Sequence, residues 1–312
     1  MEAKLFTGRS NPRLAQLIAE YLQTELGDVS IKDFSDGELW VRYNENVRGQ
    51  DVFIIQSTNP PANNIMELLL MLDAAKRASA RRVTAVIPYY GYARQDRKDQ
   101  PRVPISAKLL ADMINAAGAD RVLTMDLHSA QIQGYFNIPF DHLYSKAALI
   151  TYLKADVSFT DNLVVLSPDV GSIPLSRSYA KILDASLAII DKRRPQANQA
   201  EVMNLIGDVS GKNVLIMDDM VDTAGTLAAA AETAKAHGAL VVRAACTHGV
   251  LSGPAIERIT NAPVEKLIIS DTIQIPDSKM IEKLEMVSVA PVFGEAIARI
   301  HNEESISSLF NF

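Results

Sequence analysis

The 312-residue sequence contains a single cysteine, which excludes an internal disulfide and a zinc site built from several thiolates. That residue, Cys246, lies in the apolar run LVVRAACTH, where a buried thiol in a packing role is expected. Long apolar stretches are missing too. No run approaches the ~18 residues of a membrane span, and the opening MEAKLFTGRSNPRL lacks the apolar centre of a secretory signal. A cytoplasmic protein without a membrane partner is expected. Positive charge is in short supply: 31 Lys and Arg stand against 37 Asp and Glu, a net charge of −6. A general nucleic-acid binder needs a basic surface to displace counterions, so no nucleic-acid partner is expected. Any anionic ligand must be gripped by local donors. Neither the GxxxxGK[ST] pattern nor the protein-kinase motif set occurs, so a nucleotide would be held by another device.

Apolar material is plentiful: 48% of residues are hydrophobic, and the length corresponds to about two domains. Short β-branched runs alternate with helical periodicity, the order of an α/β fold with a mainly parallel sheet flanked by helices. Strands are expected at 51–56 (DVFIIQ), 82–88 (RVTAVIP), 121–127 (RVLTMDL), 163–168 (LVVLSP), 213–219 (NVLIMDD), 240–246 (LVVRAAC) and 266–271 (KLIISD). Between them, NIMELLLMLDAAKRA gathers Ile65, Leu68, Leu69, Leu72 and Ala75 on one helix face, and PISAKLLADMINAAG gathers Ile105, Leu109, Met113 and Ala116. The junctions ASARRVTAV, AGADRVLTM and HGALVVRAA recur as helix end, small-residue turn and strand, with Gly118 and Gly238 suited to the position just past a helix. The recurrence agrees with two related halves, 1–147 and 148–291, with the helical pattern at about 292–312 returning to the first. The polar, basic segment 192–204, KRRPQANQAEVMN, breaks the rhythm and reads as a mobile active-site loop.

The most informative stretch is NVLIMDDMVDTAGTLAAAAETAKAHG, 213–238. Apolar residues lead into Asp218 and Asp219, then Asp222, Thr223, Ala224, Gly225 and Thr226 form a short turn before an Ala-rich helix. Backbone N–H groups and the dipole at a helix N-terminus favour a phosphate, the threonines add hydroxyl donors, and Gly225 permits close backbone approach. Two adjacent carboxylates repel such an anion, so they suit sugar hydroxyls or metal-bound water. The combination describes a site for a phosphorylated sugar. The plainer alternative is an ordinary crossover with an incidental acidic pair and a threonine cap.

The segment VLIMDDMVDTAGT resembles the phosphoribosyl-diphosphate loop of the type I phosphoribosyltransferase fold, and the sequence as a whole resembles class I ribose-phosphate pyrophosphokinases. Besides that loop the resemblance rests on FSDGE (34–38), IPYYGYARQDRK (87–98), MDLHSAQIQGYFNIP (125–139), SPDVG (167–171), DKRRP (191–195) and THGVLSGPAI (247–256). It implies two similar domains of that fold, ATP and ribose 5-phosphate as substrates, Mg²⁺ as cofactor, and a homo-oligomer, hexameric in this family. The implied reaction transfers the β,γ-diphosphate of ATP to the 1-hydroxyl of the sugar and releases AMP. By the same resemblance Lys192 and Arg194 reach the transferring phosphates, and Asp218, Asp219, Asp222, Thr223, Ala224, Gly225 and Thr226 hold ribose 5-phosphate. Arg94, Gln95, Asp96, His128 and Asp141 bind ATP, while Phe34, Asp36 and Glu38 belong to an adenine-contacting turn lent by a neighbouring subunit. His128 and Asp169 stand beside Mg²⁺. Arg48, Arg102, Ser305, Ser307 and Ser308 match, or lie beside, a regulatory phosphate or ADP site, although Asn46 stands where a hydroxyl residue is usual. Without the resemblance, Phe34 would be ordinary core and His128 a hydrogen-bonded structural histidine, as His142, His237, His248 and His301 are expected to be.

Two alternatives share part of the pattern. A nucleobase phosphoribosyltransferase would keep the 218–226 loop without RQD and DKRRP; a non-catalytic regulatory homologue would lose catalytic or phosphate-loop residues, which are present here. One departure stands out after SPDVG, where a second glycine and an Arg-Ala-Arg run are usual and this sequence has Ser172, Ile173, Pro174, Leu175, Ser176 and Arg177. Ser172 adds a Cβ and a hydroxyl that either crowd a sugar phosphate or replace a hydrogen bond, and Leu175 removes a charge. Weakened ribose 5-phosphate binding is the expectation.

Overall fold

A computed structural model, which describes residues 3–193 and 202–310, turns each of the runs expected as strands into one. The chain divides into two units; the one that runs to Tyr144 also takes in Thr272–Gln274 and the C-terminal segment beginning at Val289. Its elements in chain order are β1 (Ala3–Thr7), α1 (Pro12–Tyr21), β2 (Val29–Asp33), β3 (Leu39–Tyr43), β4 (Asp51–Ile55), α2 (Asn63–Arg77), β5 (Arg82–Ile87), α3 (Ser106–Ala116), β6 (Arg121–Met125) and β7 (Phe140–Leu143). The main sheet has the order β1-β4-β5-β6-β7, parallel throughout, and β2 and β3 form a separate antiparallel hairpin. Every residue of β4 is buried, and β5 buries all but its first, as parallel strands covered on both faces do.

Helix α2 buries Ile65, Leu68, Leu72 and Ala75 as its periodicity indicates, with Met71 fully buried and Leu69 only partly. Helix α3 corrects the sequence reading. It buries Ala107, Leu110, Ala111 and Ile114, and leaves Leu109 58% and Met113 36% exposed. Two apolar stripes run along this helix, and periodicity alone does not choose between them.

The second half continues with α4 (Lys146–Ala155), α5 (Val157–Thr160), β8 (Leu163–Ser167), α6 (Ile173–Ile182), β9 (Ser186–Arg193), β10 (Val202–Ile206), β11 (Asn213–Val221), α7 (Gly225–Ala236), β12 (Val242–Gly249), α8 (Ala255–Asn261), β13 (Leu267–Ser270) and β14 (Leu284–Val287). Its sheet has the order β10-β9-β8-β11-β12-β13-β14, parallel except at β10. One face is closed by the alanine stripe of α7 with Ile259 of α8, over Ile216, Ala244 and Ile269; the other by Leu149, Leu153 and Tyr179, over Val165, Leu215 and Ile268. Cys246 lies fully buried in the first of these cores, and burial pushes its thiol well above the usual range.

The loop expected at 192–204 is shorter than the sequence suggests. Lys192 and Arg193 end β9 and Val202 to Asn204 open β10, paired as Val202↔Arg193 and Asn204↔Asp191. Polar composition hid these strand ends, because an edge strand with charged residues looks like a loop in one dimension.

The last helix, α9 (Ala290–His301), belongs to the first unit, where it packs against α1 with Phe293 and Ile297 fully buried. Arg82 donates to the Ile300 carbonyl at 2.9 Å and His301 Nδ1 lies 2.9 Å from the buried Asp51 carboxylate. Burial alone would raise the Asp51 carboxyl, but Arg82 and His301 outweigh it and hold it below the usual range. The three recurrent junctions are one motif in both units. After α2, α3 and α7 the N–H groups of Ser79 and Ala80, Gly118 and Ala119, and Gly238 and Ala239 bond the last-turn carbonyls in the same pattern. The left-handed residue is glycine in two cases, φ 105° and 88°, and Ser79 at φ 63° in the third. Among the described residues no helix is long and apolar enough to cross a membrane.

Candidate active site

Strand β11 pairs with β12 as far as Val221 opposite Gly249, but with β8 only to Ile216 opposite Leu166. The sequence suggested a strand ending at Asp219; it runs on to Val221, so the acidic pair lies within a strand whose pairing on one side has stopped. The segment after β8 fills that side. Ser167 Oγ donates to the Asp169 carbonyl at 2.7 Å, Asp169 Oδ1 accepts the Ser172 N–H at 3.0 Å, and Ser172 Oγ donates to Asp218 Oδ1 at 2.8 Å. Asp218 Oδ1 also accepts the backbone N–H of Asp219 at 2.9 Å. Burial, reinforced by the neighbouring Asp219, pushes the Asp218 carboxyl up to about 7, with the Ser172 hydrogen bond acting in the opposite sense. Leu175 of α6 is packed against the hydrophobic core, and Pro174 sits in the helix's first turn, where it costs no hydrogen bond.

The turn from β11 into α7 is braced from outside. The Ser252 N–H donates to the Asp222 carbonyl at 2.9 Å, its hydroxyl donates to the Asp222 carboxylate, and Arg258 Nη1 donates to the Thr223 carbonyl at 3.0 Å. Ala224, at φ 58°, is the left-handed residue that turns the chain, not Gly225, which opens α7. A Cβ at Gly225 would stand 3.2 Å from Arg258 Nη1, so glycine admits the brace. No side chain caps α7, and its first-turn N–H groups have no partner within the helix, the condition under which a helix start binds an anion. Thr223 and Thr226 are both exposed beside it.

In the first unit a cavity of about 590 Å³ is lined by Arg94, Gln95, Asp96, His128, Ser129 and Gln131 among others, and so brings together four of the residues expected to hold ATP. Asp96 is turned inward: its carboxylate accepts from Ser129 Oγ at 2.8 Å and Gln131 Nε2 at 2.6 Å, tying the two walls to each other. Asp141, on β7, is not among the lining residues and pairs instead with Arg121 of β6.

Phe34, Asp36 and Glu38 form the tip of the β2–β3 hairpin. The Phe34 N–H donates to the Glu38 carbonyl at 2.8 Å, Gly37 takes φ 92°, and Asp36 Oδ1 accepts the Glu38 N–H at 3.0 Å. Phe34 is 54% exposed, so it is not core. At the hairpin's base Arg9 grips Asp33 at 2.6 and 3.1 Å and the fully buried Glu67 at 2.7 Å. This tie is what brings the LFTGRSNP segment and FSDGE together. The expected regulatory residues lie on three separate exposed segments: Arg48 before β4, Arg102 before α3, and Ser305, Ser307 and Ser308 after α9.

Arg194 lies outside the described residues, and of Lys192 only the backbone, in β9, is described. Among the described residues no three His, Cys, Asp or Glu side chains are grouped to hold a metal ion. Mg²⁺ takes oxygen donors and keeps several waters, so the Asp169 carboxylate suits it better than the His128 imidazole does. His142, His237 and His301 are hydrogen-bonded in structural positions, at 2.9, 2.8 and 2.9 Å. Sequence reading missed the bracing residues Arg9, Ser129, Gln131, Ser252 and Arg258. Ser129, Gln131 and Ser252 stand inside the motifs quoted above, which is the available signal; Arg9 and Arg258 do not.

Two family models match the chain: the N-terminal domain of ribose phosphate pyrophosphokinase over residues 3–118, and the phosphoribosyl synthetase-associated domain over 194–311. Proteins named ribose-phosphate pyrophosphokinase from Chlorobaculum tepidum and Caldanaerobacter subterraneus subsp. tengcongensis are each 59% identical to it over 308 residues, covering 99% and 98% of this chain and 95% and 97% of theirs. The crystal structure of phosphoribosylpyrophosphate synthetase from Mycobacterium smegmatis superposes with a TM-score of 0.92 at 40% identity, over 97% of this chain and 100% of the other. The chain therefore belongs to the ribose-phosphate pyrophosphokinase family, with that family's α/β fold and diphosphotransferase activity.

Proposed function

We propose that the chain binds ribose 5-phosphate at the 218–226 loop and ATP at the cavity of the first unit, and transfers the β,γ-diphosphate between them. The observation that carries this reading is the loop itself: a left-handed turn leading into an uncapped helix start, with two carboxylates on the strand before it. The 5-phosphate sits on the first-turn N–H groups of α7 with the hydroxyls of Thr223 and Thr226, and Asp218 and Asp219 accept hydrogen bonds from the ribose hydroxyls. Arg94 and Gln95 grip the nucleotide and Asp96 keeps the cavity wall in place. The sugar's 1-hydroxyl attacks the β-phosphorus, the bond to the α-phosphate oxygen breaks, and AMP leaves; no enzyme nucleophile is needed, so catalysis rests on alignment and charge neutralisation. Lys192 and Arg194 supply positive charge to the transferring phosphates. Asp169 would hold Mg²⁺ through a carboxylate oxygen, and the ion when bound would neutralise phosphate charge.

The finer reading is of a cytoplasmic homo-oligomer, hexameric as the family resemblance implies, in which the exposed turn with Phe34, Asp36 and Glu38 reaches a neighbour's adenine. Arg48, Arg102 and the terminal serines then serve a regulatory phosphate or ADP site. The loop assignment is tested with Gly225→Val, whose side chain meets Arg258 and disturbs the cradle. The KM for ribose 5-phosphate should rise about tenfold or more and the KM for ATP much less. A shift confined to ATP would move the sugar phosphate elsewhere.

A further inference from the structure

Ser172 is the N-cap residue of α6, where a serine hydroxyl ordinarily accepts a hydrogen bond from the helix's own first turn. Here it makes no such bond. The hydroxyl instead donates to Asp218 Oδ1 at 2.8 Å, while its backbone N–H is taken by Asp169 Oδ1 at 3.0 Å. Ser172 is thus held from both sides, and the pairing with β8 that would otherwise flank Asp218 has already stopped at Ile216 opposite Leu166. We propose that Ser172 is a positioning residue for the sugar: its hydroxyl fixes the Asp218 carboxylate in the orientation that receives the ribose hydroxyls. This rests on the assignment of ribose 5-phosphate to the 218–226 loop.

Ser172 and the Asp219 N–H both bond Oδ1, so the carboxylate is held in one rotation by that oxygen. A carboxylate oriented before the ligand arrives loses less freedom on binding. The hydroxyl also favours the ionised form of a carboxylate that burial and Asp219 push toward protonation, and only the ionised form accepts hydrogen bonds at both oxygens. Ser172 therefore tightens sugar binding, the opposite of the weakening that its departure from the usual glycine suggests.

A double-mutant cycle with Ser172→Ala and Asp218→Asn tests the inference, with KM for each substrate, kcat and melting temperature measured for each protein. Ser172→Ala should raise the KM for ribose 5-phosphate about fivefold, the size of one ordinary hydrogen bond because the effect on the sugar is indirect, with KM for ATP and kcat changed less than twofold. Ser172→Thr should restore the KM, and Ser172→Ala should add nothing in the Asp218→Asn background. An unchanged KM in folded Ser172→Ala, or an equal increase in both backgrounds, overturns the positioning role and leaves Ser172 as part of the turn. If Asp218→Asn itself leaves the ribose 5-phosphate KM unmoved, the loop assignment falls and the inference with it.

Discussion

The 218–226 loop and the 34–38 turn, both proposed to meet substrate, are held in opposite ways. The loop is tied to its surroundings at Asp218 by Ser172, at Asp222 by Ser252 and at Thr223 by Arg258. The turn is closed by bonds among its own residues, is anchored through Asp33 at its base, and shows Phe34 to solvent. A braced loop meets its ligand with little further loss of conformational freedom, and so can discriminate a phosphorylated sugar with its own groups. An exposed aromatic on a polar hairpin gains most when another surface buries it. The contrast fits one region that recognises substrate in cis and one that is lent to a neighbour.

The largest effect should fall on neither region. Lys192→Ala and Arg194→Ala should each lower kcat by about 10² to 10³ with the melting temperature unchanged, since the role proposed for them is on charge in the transition state. Near-normal kcat would return the chemistry to the two binding regions. The contrast itself is broken or sharpened by mixing inactive Lys192→Ala protein with inactive Glu38→Ala protein. Partial recovery of activity after subunit exchange is the expected outcome, and recovery no greater than the sum of the parents would make the turn as self-contained as the loop.

A smaller effect follows from the acidic pair. Asp218 is raised from 3.8 to about 7 in the folded chain, mainly by burial and then by Asp219. The folded form therefore holds a proton that the unfolded chain has released, and stability falls as pH rises through that window. Asp218→Asn removes the cost, so its melting temperature should exceed that of the wild type by several degrees at pH 8 and converge with it near pH 4. A difference independent of pH would show that Asp218 is not raised in the fold. The smallest changes concern the shared helix ends. Gly238→Ala should destabilise the second unit by about 1 kcal/mol, and Ser79→Gly should stabilise the first by about 0.5 kcal/mol, because only glycine takes the left-handed conformation without strain. Opposite signs in a denaturation series are the expected outcome, and the same sign for both would contradict a shared cap.

Most of the fold was legible because parallel strands buried on both faces leave continuous apolar runs, as in 51–55 and 163–167. The hairpin of β2 and β3 and the edge strand β10 were not, since half-exposed strands carry polar residues that read as loops. Helix α3 carries two apolar stripes, one with Leu109 and Met113 and one with Leu110 and Ile114, and periodicity alone does not say which faces inward. At the site, residue types near one another in sequence were readable, and so was the turn from Asp222 to Thr226. Braces from distant segments were not. Ser172 and Asp218 are 46 positions apart, and Arg258 and Thr223 are 35 apart, so only the three-dimensional path of the chain joins them.

The account's central claim is that this chain makes phosphoribosyl diphosphate with the sugar phosphate held at the β11–α7 turn. The most direct test supplies purified protein with Mg-ATP and ribose 5-phosphate in the absence of any nucleobase and measures AMP and phosphoribosyl diphosphate together, with unphosphorylated ribose as the second substrate in parallel. Equimolar appearance of the two products with ribose 5-phosphate, and neither with ribose, is the predicted result. Turnover that requires a nucleobase, or ribose used as readily as its 5-phosphate, would contradict it.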